Sequence, residues 1–493
     1  MNRITIKCLR CKRIPRLLTA RSYSSPYRPS IAPKPTLDIR HILNNADLYA
    51  QTCLSRNYPN LASNPSRIIE LHAYCQALQE DARSLRERAG VLKKQLLVLK
   101  IEGKGVEGVL QEAREIKTKL LEVEKKEVDA IKKVEELALA LPNLTSKETP
   151  RGAEFEVLGY GNADEKTIQI EDSKGKRISH IDIGKQLGII DFASADTAFG
   201  YRWYYLVGAG ALLEQALVSY ALAFTTRHGW TPVSPPSLVY SHISAACGFQ
   251  PRDSSGEQQV YNIAQDKKDK IRGVPEISLT RTSEIALAGM KANAIISEAE
   301  LPLKRVAASR CYRAEAGAKG ADIKGLYRVH EFTKMELFAW TKPDKEEVED
   351  IFDEMTDIQT DILCALGLTC RVLDMPAHKL GVRETRKIDV EVFFPFRAVG
   401  KTEDEIQEAA WGEVASASIC TDYQSRRLAT RMRGPGDGKL EFPWTVNGTA
   451  LAVPRVLAAL LEIGWDGEEG IVRLPKVLHQ FMGTDRIEGP KRK

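Results

Sequence analysis

Four stretches of this chain collect side chains able to do chemistry. Ser309-Arg-Cys-Tyr-Arg313-Ala-Glu315-Ala-Gly is followed by Gly325-Leu-Tyr-Arg328-Val-His-Glu-Phe332-Thr-Lys-Met-Glu336. A strand, a Gly/Lys loop and a returning strand would bring Arg313, Glu315, Arg328 and Glu336 into one region. Further on, Asn447-Gly-Thr449-Ala-Leu-Ala-Val-Pro-Arg455 reads as a strand end entering a helix with one arginine near its start. Glu413-Val414-Ala415-Ser416 and Thr282-Ser-Glu284 add carboxylates and hydroxyls. Guanidinium groups are forked donors for oxyanions. Isolated Arg/Glu pairs on a sheet are, however, usually surface ion pairs, and Thr449 could equally be a helix N-cap.

The elements that must position these groups fall into two kinds. Leu71, Cys75, Leu78, Ala82, Leu85, Ala89, Leu92, Leu96 and Leu99 recur in alternating steps of four and three, a heptad seam. After Ile101-Glu-Gly-Lys-Gly105 a second seam runs from Val106 to Leu137, interrupted only by Glu127. Two helices of about 35 residues joined by a glycine turn predict an antiparallel hairpin, each arm roughly 50 Å long at about 1.5 Å per residue. Pro142 closes it. Its outer faces carry Arg83, Arg86, Arg88, Lys93, Lys94, Lys100, Lys104, Arg114, Lys117 and Lys119, either a solvated coiled-coil surface or an arm that reaches phosphates.

From about Gly152 the heptads stop. Strand-like stretches (Ile168–Ile170, Ser278–Thr280, Arg305–Tyr312, Lys334–Trp340, Arg371–Leu373, Lys387–Phe394) alternate with amphipathic helices (Gly208–Arg227, Lys345–Leu366, Thr449–Glu462). Several strands are separated by loops and not by crossover helices, which predicts an α+β domain with an antiparallel sheet. Other signals do not hold. Gly103–Gly108 matches G-x-G-x-x-G but sits between heptad helices and follows no strand. Gly400-Lys401-Thr402 has Pro395 where a phosphate loop needs its first glycine. His330-Glu331 lacks the second histidine of a zinc motif.

The chain has 493 residues, 43% apolar and 28% charged, a globular composition. No run of apolar residues is long enough to cross a membrane. The nine cysteines are scattered and the eight histidines do not cluster with them, so neither a disulfide scaffold nor a zinc site is expected. The net charge of +5 is set by the start of the chain: residues 1–37 hold nine Lys or Arg and no acid. Without them, 62 basic residues face 66 acidic ones. An acid-free, Arg-rich, Ser-containing start fits a mitochondrial presequence, with domains expected at residues 1–36 (presequence), 37–148 (helical arm) and 149–493 (sheet domain).

Taken together, these motifs resemble the three signature motifs of class II aminoacyl-tRNA synthetases, and specifically the seryl-tRNA synthetase family in its mitochondrial type. The match covers nearly all of the chain after the leader: the start at Leu37-Asp-Ile-Arg-His-Ile, the hairpin, T-x-E at Thr282–Glu284, R-x-E-A-G at Arg313, G-L-x-R-x-H-x-F-x-K-x-E ending at Glu336, and E-V-x-S at Glu413. The resemblance implies a class II antiparallel sheet with an N-terminal coiled-coil arm that binds tRNA(Ser). It implies activation of L-serine with ATP, transfer to the 3′ end of tRNA, a homodimer through the Gly208–Pro236 region, and the mitochondrial matrix. Arg313 would hold the α-phosphate and the serine carboxylate, and with Arg455 would be catalytic. Glu315 and Phe332 would hold the adenine, Arg328 and Arg455 the outer phosphates, and Val414 and Ala415 would complete the ATP site. Glu413 and Ser416 would ligate Mg²⁺ with ATP; no zinc is implied. Thr282 and Glu284 would hold the serine ammonium, and Glu336 and Thr449 its hydroxyl. The loop Ala318–Lys324 would meet the tRNA acceptor end. Ala314, Ser283 and Pro454 depart from the residues commoner in the family at those places. An inactive paralogue, a coiled-coil scaffold and a prolyl- or threonyl-type enzyme are the rival readings.

Overall fold

The computed structural model describes residues 31–163, 177–250, 258–315, 325–434 and 438–490. The expected strand at Ile168–Ile170 and the loop Ala318–Lys324 lie outside them. Helices α1 (Asn64–Ile101) and α2 (Glu107–Ala140) form the hairpin. Gly103 makes the turn with a positive φ of 66°, which costs glycine least. Every seam position is buried or half-buried. Glu127, the one interruption, is satisfied across the seam by Gln79 Nε2 at 3.0 Å. At its base, Ile42, Cys53, Ile68, Val134 and Leu137 form a small apolar cluster with the short helices Ile39–Asn44 and Ala46–Ser55. The chain then crosses to the sheet domain under tight control: Asn143 Nδ2 donates to the carbonyls of Arg383 and Cys420, at 2.9 and 2.8 Å.

The folded body begins before residue 37. The Thr36 N–H donates to the Arg426 carbonyl at 2.9 Å, and the Thr36 hydroxyl accepts from Arg431 at 2.8 Å. Thr36, the last residue assigned to the presequence, is thus bonded to the sheet domain.

The sheet domain is built on eight strands: β1 (Glu156–Gly161), β2 (Thr231–Val233), β3 (Leu303–Tyr312), β4 (Glu331–Thr341), β5 (Cys370–Asp374), β6 (Arg386–Phe393), β7 (Trp411–Thr421) and β8 (Trp444–Ala452). Their spatial order is β1-β5-β6-β7-β8-β4-β3-β2. All pairs are antiparallel except β2 with β3. The α+β expectation holds. Helices α3 (Ala209–Arg227), α4 (Ser283–Gly289), α5 (Lys345–Ala365) and α6 (Val453–Ile463) pack around it.

Strand alternation sorts side chains between the two faces. Met335, Leu337, Ala339, Ala415, Ala417, Ile419, Val390 and Val392 join the main apolar core with α3, α5 and α6. The opposite face is apolar only at one end, where Ala307, Phe338 and Trp340 pack with Ile285 and Leu287 of α4. Its other half is polar.

Two sequence expectations need correction. The helix expected from Thr449 starts at Val453; Thr449 lies in β8, and the N-cap position is Ala452. Thr449 is therefore no helix cap. Strand β7 was not foreseen, and of β8 only a strand end at Asn447-Gly448 was. β7 is rich in alanine and serine and β8 has Asn-Gly and two alanines in its run, weak strand formers alone, and both are held by pairing on each side.

Candidate active site

Four antiparallel registers align a lateral row across five central strands. Asp389 faces Ser416, Ser416 faces Thr449, Thr449 faces Glu336 and Glu336 faces Ala307. These side chains share the partly polar face of the sheet. In an unbroken strand Glu413 would point away from Ser416, because residues three apart alternate faces. The register jumps here: Val390 pairs with Ala415, but Glu391 pairs with Glu413. Val414 is the extra residue of a β-bulge, and it turns Glu413 back onto the site face. A second jump, between Thr449/Glu336 and Leu451/Met335, does the same for Ala452 just ahead of Arg455.

Above this row one cavity is lined by Arg313, Glu315, Arg328, Phe332, Lys334, Glu413, Val414, Thr449, Pro454 and Arg455, among others. Arg313 follows the end of β3, and its guanidinium lies 5.1 Å from the centre of the Phe332 ring, a cation–π contact. Glu315 takes a left-handed backbone, φ 49°, uncommon outside glycine and asparagine. Its Oε2 accepts from Arg328 Nη1 at 3.2 Å. Arg455 enters from the first turn of α6, behind Pro454, a position that suits proline. It donates from Nε to the Tyr327 carbonyl at 3.0 Å and from Nη1 to the Glu413 carbonyl at 2.6 Å, tying loop to strand.

Charge is concentrated here. Burial raises the Glu413 pKa, but Lys387, Arg455, Arg313 and Lys334 together outweigh it and hold the carboxyl at about 2. Glu413 is thus an anion at neutral pH. Beneath it, on the same face, Lys387 and Asp389 form a buried pair at 2.7 Å. Glu336 is 1% exposed, accepts from the Thr282 hydroxyl at 3.1 Å and meets Lys334 Nζ at 2.5 Å.

Not every expected residue reaches the cavity. Thr282 caps α4 by accepting from the Glu284 N–H at 3.3 Å, and touches the site only through Glu336. Glu284 points elsewhere: it takes Arg383 Nε and Gln424 Nε2, both at 2.7 Å, with its pKa pushed up by burial. It does not line the cavity, and its present partners tie α4 to the segments around it. The Ala415 side chain faces the core on the far side of the sheet, so only its backbone is near the site. Ser416 lies in the lateral row beside the cavity. Lys334 is the charged residue of the cavity lining to which the sequence reading assigned no role. Strand alternation of Phe332, Lys334 and Glu336 was the signal that could have placed it.

A long antiparallel sheet with its polar half ringed by arginines from separate motifs defines the class II aminoacyl-tRNA synthetase core. The family model "tRNA synthetase class II core domain (G, H, P, S and T)" matches residues 268–464, and "Seryl-tRNA synthetase N-terminal domain" matches residues 36–145. The chain is 34% identical to the mitochondrial serine–tRNA ligase of Saccharomyces cerevisiae, over 95% of this chain and all of that one. It is 38% identical to the mitochondrial serine–tRNA ligase of Mus musculus, over 78% of this chain and 69% of that one. Among solved structures it superposes on seryl-tRNA synthetase from Pyrococcus horikoshii complexed with ATP, with a TM-score of 0.78 and 28% identity, covering 92% of this chain and all of that one. The chain belongs to the seryl-tRNA synthetase family.

Proposed function

We propose that this protein is a serine–tRNA ligase that joins L-serine to ATP as seryl-adenylate and then passes the seryl group to the 3′ end of tRNA(Ser). The observation that carries the reading is the convergence of Arg313, Glu315, Arg328, Phe332, Glu413, Thr449 and Arg455, from three separated motifs, on one cavity. The attacking serine carboxylate is already an anion, so the first step needs no strong base. It needs two anions brought together and the charge on the α-phosphorus met by fixed donors. Two features of Arg313 support that role: its Nε is buried without a protein partner among the described residues, and its planar fork suits carboxylate and phosphate oxygens. Arg328 and Arg455, which line the same cavity, would take the outer phosphates. Glu315 would accept from the adenine amino group, with Phe332 below the ring. Glu336 and Thr449, adjacent in register, would take the serine hydroxyl.

Mg²⁺ would arrive with ATP. Glu413, held anionic, and the Ser416 hydroxyl offer the hard oxygen donors it prefers, and would hold it where it screens phosphate charge. The arm would hold the body of the tRNA: among the described residues Lys93, Lys94, Lys100, Arg114, Lys117 and Lys119 have no ion-pair partner within 4 Å, while Arg83, Arg86, Arg88 and Lys104 are engaged by glutamates. A homodimer through the region around α3 is supported by Phe199, Tyr201, Val207, Leu212 and Leu238, large apolar side chains left 46–66% exposed. The relatives' mitochondrial designation and the basic, acid-free leader support residence in the mitochondrial matrix. Serine-dependent ATP–pyrophosphate exchange, compared with alanine and threonine, tests the reading. Exchange with serine alone is the expected result; no exchange with any of the three defeats it.

A further inference from the structure

Lys334 has no part in the mechanism above, yet no cation in the cavity is better buried. Its side chain is 8% exposed and lines the cavity with Arg313 and Glu413, while its Nζ lies 2.5 Å from Oε2 of Glu336, itself 1% exposed. The Thr282 hydroxyl donates to that same oxygen at 3.1 Å. Before substrate arrives, one charged and one neutral donor already occupy the carboxylate oxygen. A serine molecule seated between Glu336 and Arg313, its hydroxyl on Thr449 and the other oxygen of Glu336, brings its own ammonium to this place. Two ammonium groups crowded on one buried carboxylate leave an uncompensated positive charge, which is costly away from water. Lysine is a compact charge on a four-carbon stem and can re-aim without moving the backbone.

Resting on the serine-activating function proposed above, we infer that Lys334 is a transferable counter-ion: the substrate ammonium takes over Glu336, and the displaced lysine turns to the serine carboxylate and the α-phosphate. Each buried charge then has a partner both before and after binding. A carboxylate oxygen of serine bonds to the α-phosphorus, the bond from that phosphorus to pyrophosphate breaks, and pyrophosphate leaves with the electron pair. No proton moves, and Lys334 remains an ammonium throughout. Because ATP gives the released lysine a destination and serine releases it, the two substrates must favour each other's binding, reciprocally.

Calorimetry on the full chain with α,β-methylene ATP, which cannot form the adenylate, tests this. In the wild type the analogue should tighten serine binding by about fivefold or more, within the usual span of such coupling. Lys334→Met should bring that factor to within about twofold of unity while binding serine alone no more weakly than the wild type. Its exchange kcat should fall about 100-fold without a rise in the serine KM, the scale of losing one positioned donor. If Lys334→Met weakens serine equally with and without the analogue, the lysine merely props Glu336 and the inference is overturned. Should that variant fail to fold, two ligands decide on the wild type. Ethanolamine, which has the ammonium, should tighten analogue binding, and 3-hydroxypropionate, which lacks it, should not; the reverse pattern overturns the inference. Absence of serine-dependent exchange in the wild type is a separate outcome, which removes the underlying activity and the inference with it.

Discussion

The arm and the sheet domain solve opposite problems. In the arm, residues that touch are paired in strict order along two neighbouring helices: Gln79 with Glu127, Arg86 with Glu124, Arg88 with Glu112. Each contact is one of many alike, most are wet, and none is indispensable. In the sheet domain, Asp389, Ser416, Thr449, Glu336 and Ala307 stand in one row although more than a hundred residues separate the first in sequence from the last. There each contact is unique, and two bulges decide which side chains face the cavity. Periodic structure tolerates change, whereas a converging site does not.

The sharpest test of that contrast is Arg313→Ala. It removes the one guanidinium with a buried, protein-unpartnered Nε in the cavity, and exchange should fall about 1000-fold, the upper range for a positioned donor. Activity above about one percent of wild type would mean that the site is as redundant as the arm. Next comes shortening of the hairpin by replacing residues 92–113 with a glycine turn, a cut that keeps the observed pairing in register. tRNA charging should be lost while exchange stays within about threefold, because no arm residue lines the cavity. Parallel loss of both activities would show the arm to be part of the folding unit of the sheet domain.

Glu336→Gln acts on a carboxylate that pairs with Lys334 and Thr282. It should raise the serine KM and narrow the serine-to-alanine ratio by about 100-fold, since a site built to bind a hydroxyl rejects the analogue lacking it most strongly when its own polar group is buried. An unchanged ratio would remove Glu336 from hydroxyl recognition. The smallest effect should come from Arg88→Ala, which breaks a pair whose side chains are 50% and 41% exposed. Chemical denaturation should register less than about 1 kcal/mol, with no change in exchange. A loss of several times that would show the arm to be tuned contact by contact, as the cavity is.

Legibility follows the same division. The hairpin could be read in full, seam, turn and closing proline included, because heptad spacing is a local property and the partner helix is adjacent in sequence. The interruption at Glu127 was visible; its satisfaction by Gln79 was not. In the sheet domain the strands with strong alternation, β3, β4 and β6, were legible, whereas β7 was not and β8 showed only its end at Asn447-Gly448. Their small residues are placed by neighbours on both sides, and the sequence carries no record of those neighbours. Glu284 shows the limit most plainly. Its motif suggested a substrate ligand, but Arg383 and Gln424, each about a hundred or more residues away, turn its carboxylate into the protein interior.

By itself, then, the order of residues determined the family, the α+β class, the arm and the set of groups from which a site could be drawn, because these rest on local spacing and on motif chemistry. Only the tertiary structure decided which of those groups face one another. A strand shows alternate faces, so a single extra residue such as Val414 reverses the outlook of Glu413, and cross-strand registers set over long separations bring Asp389, Ser416, Thr449 and Glu336 into one row.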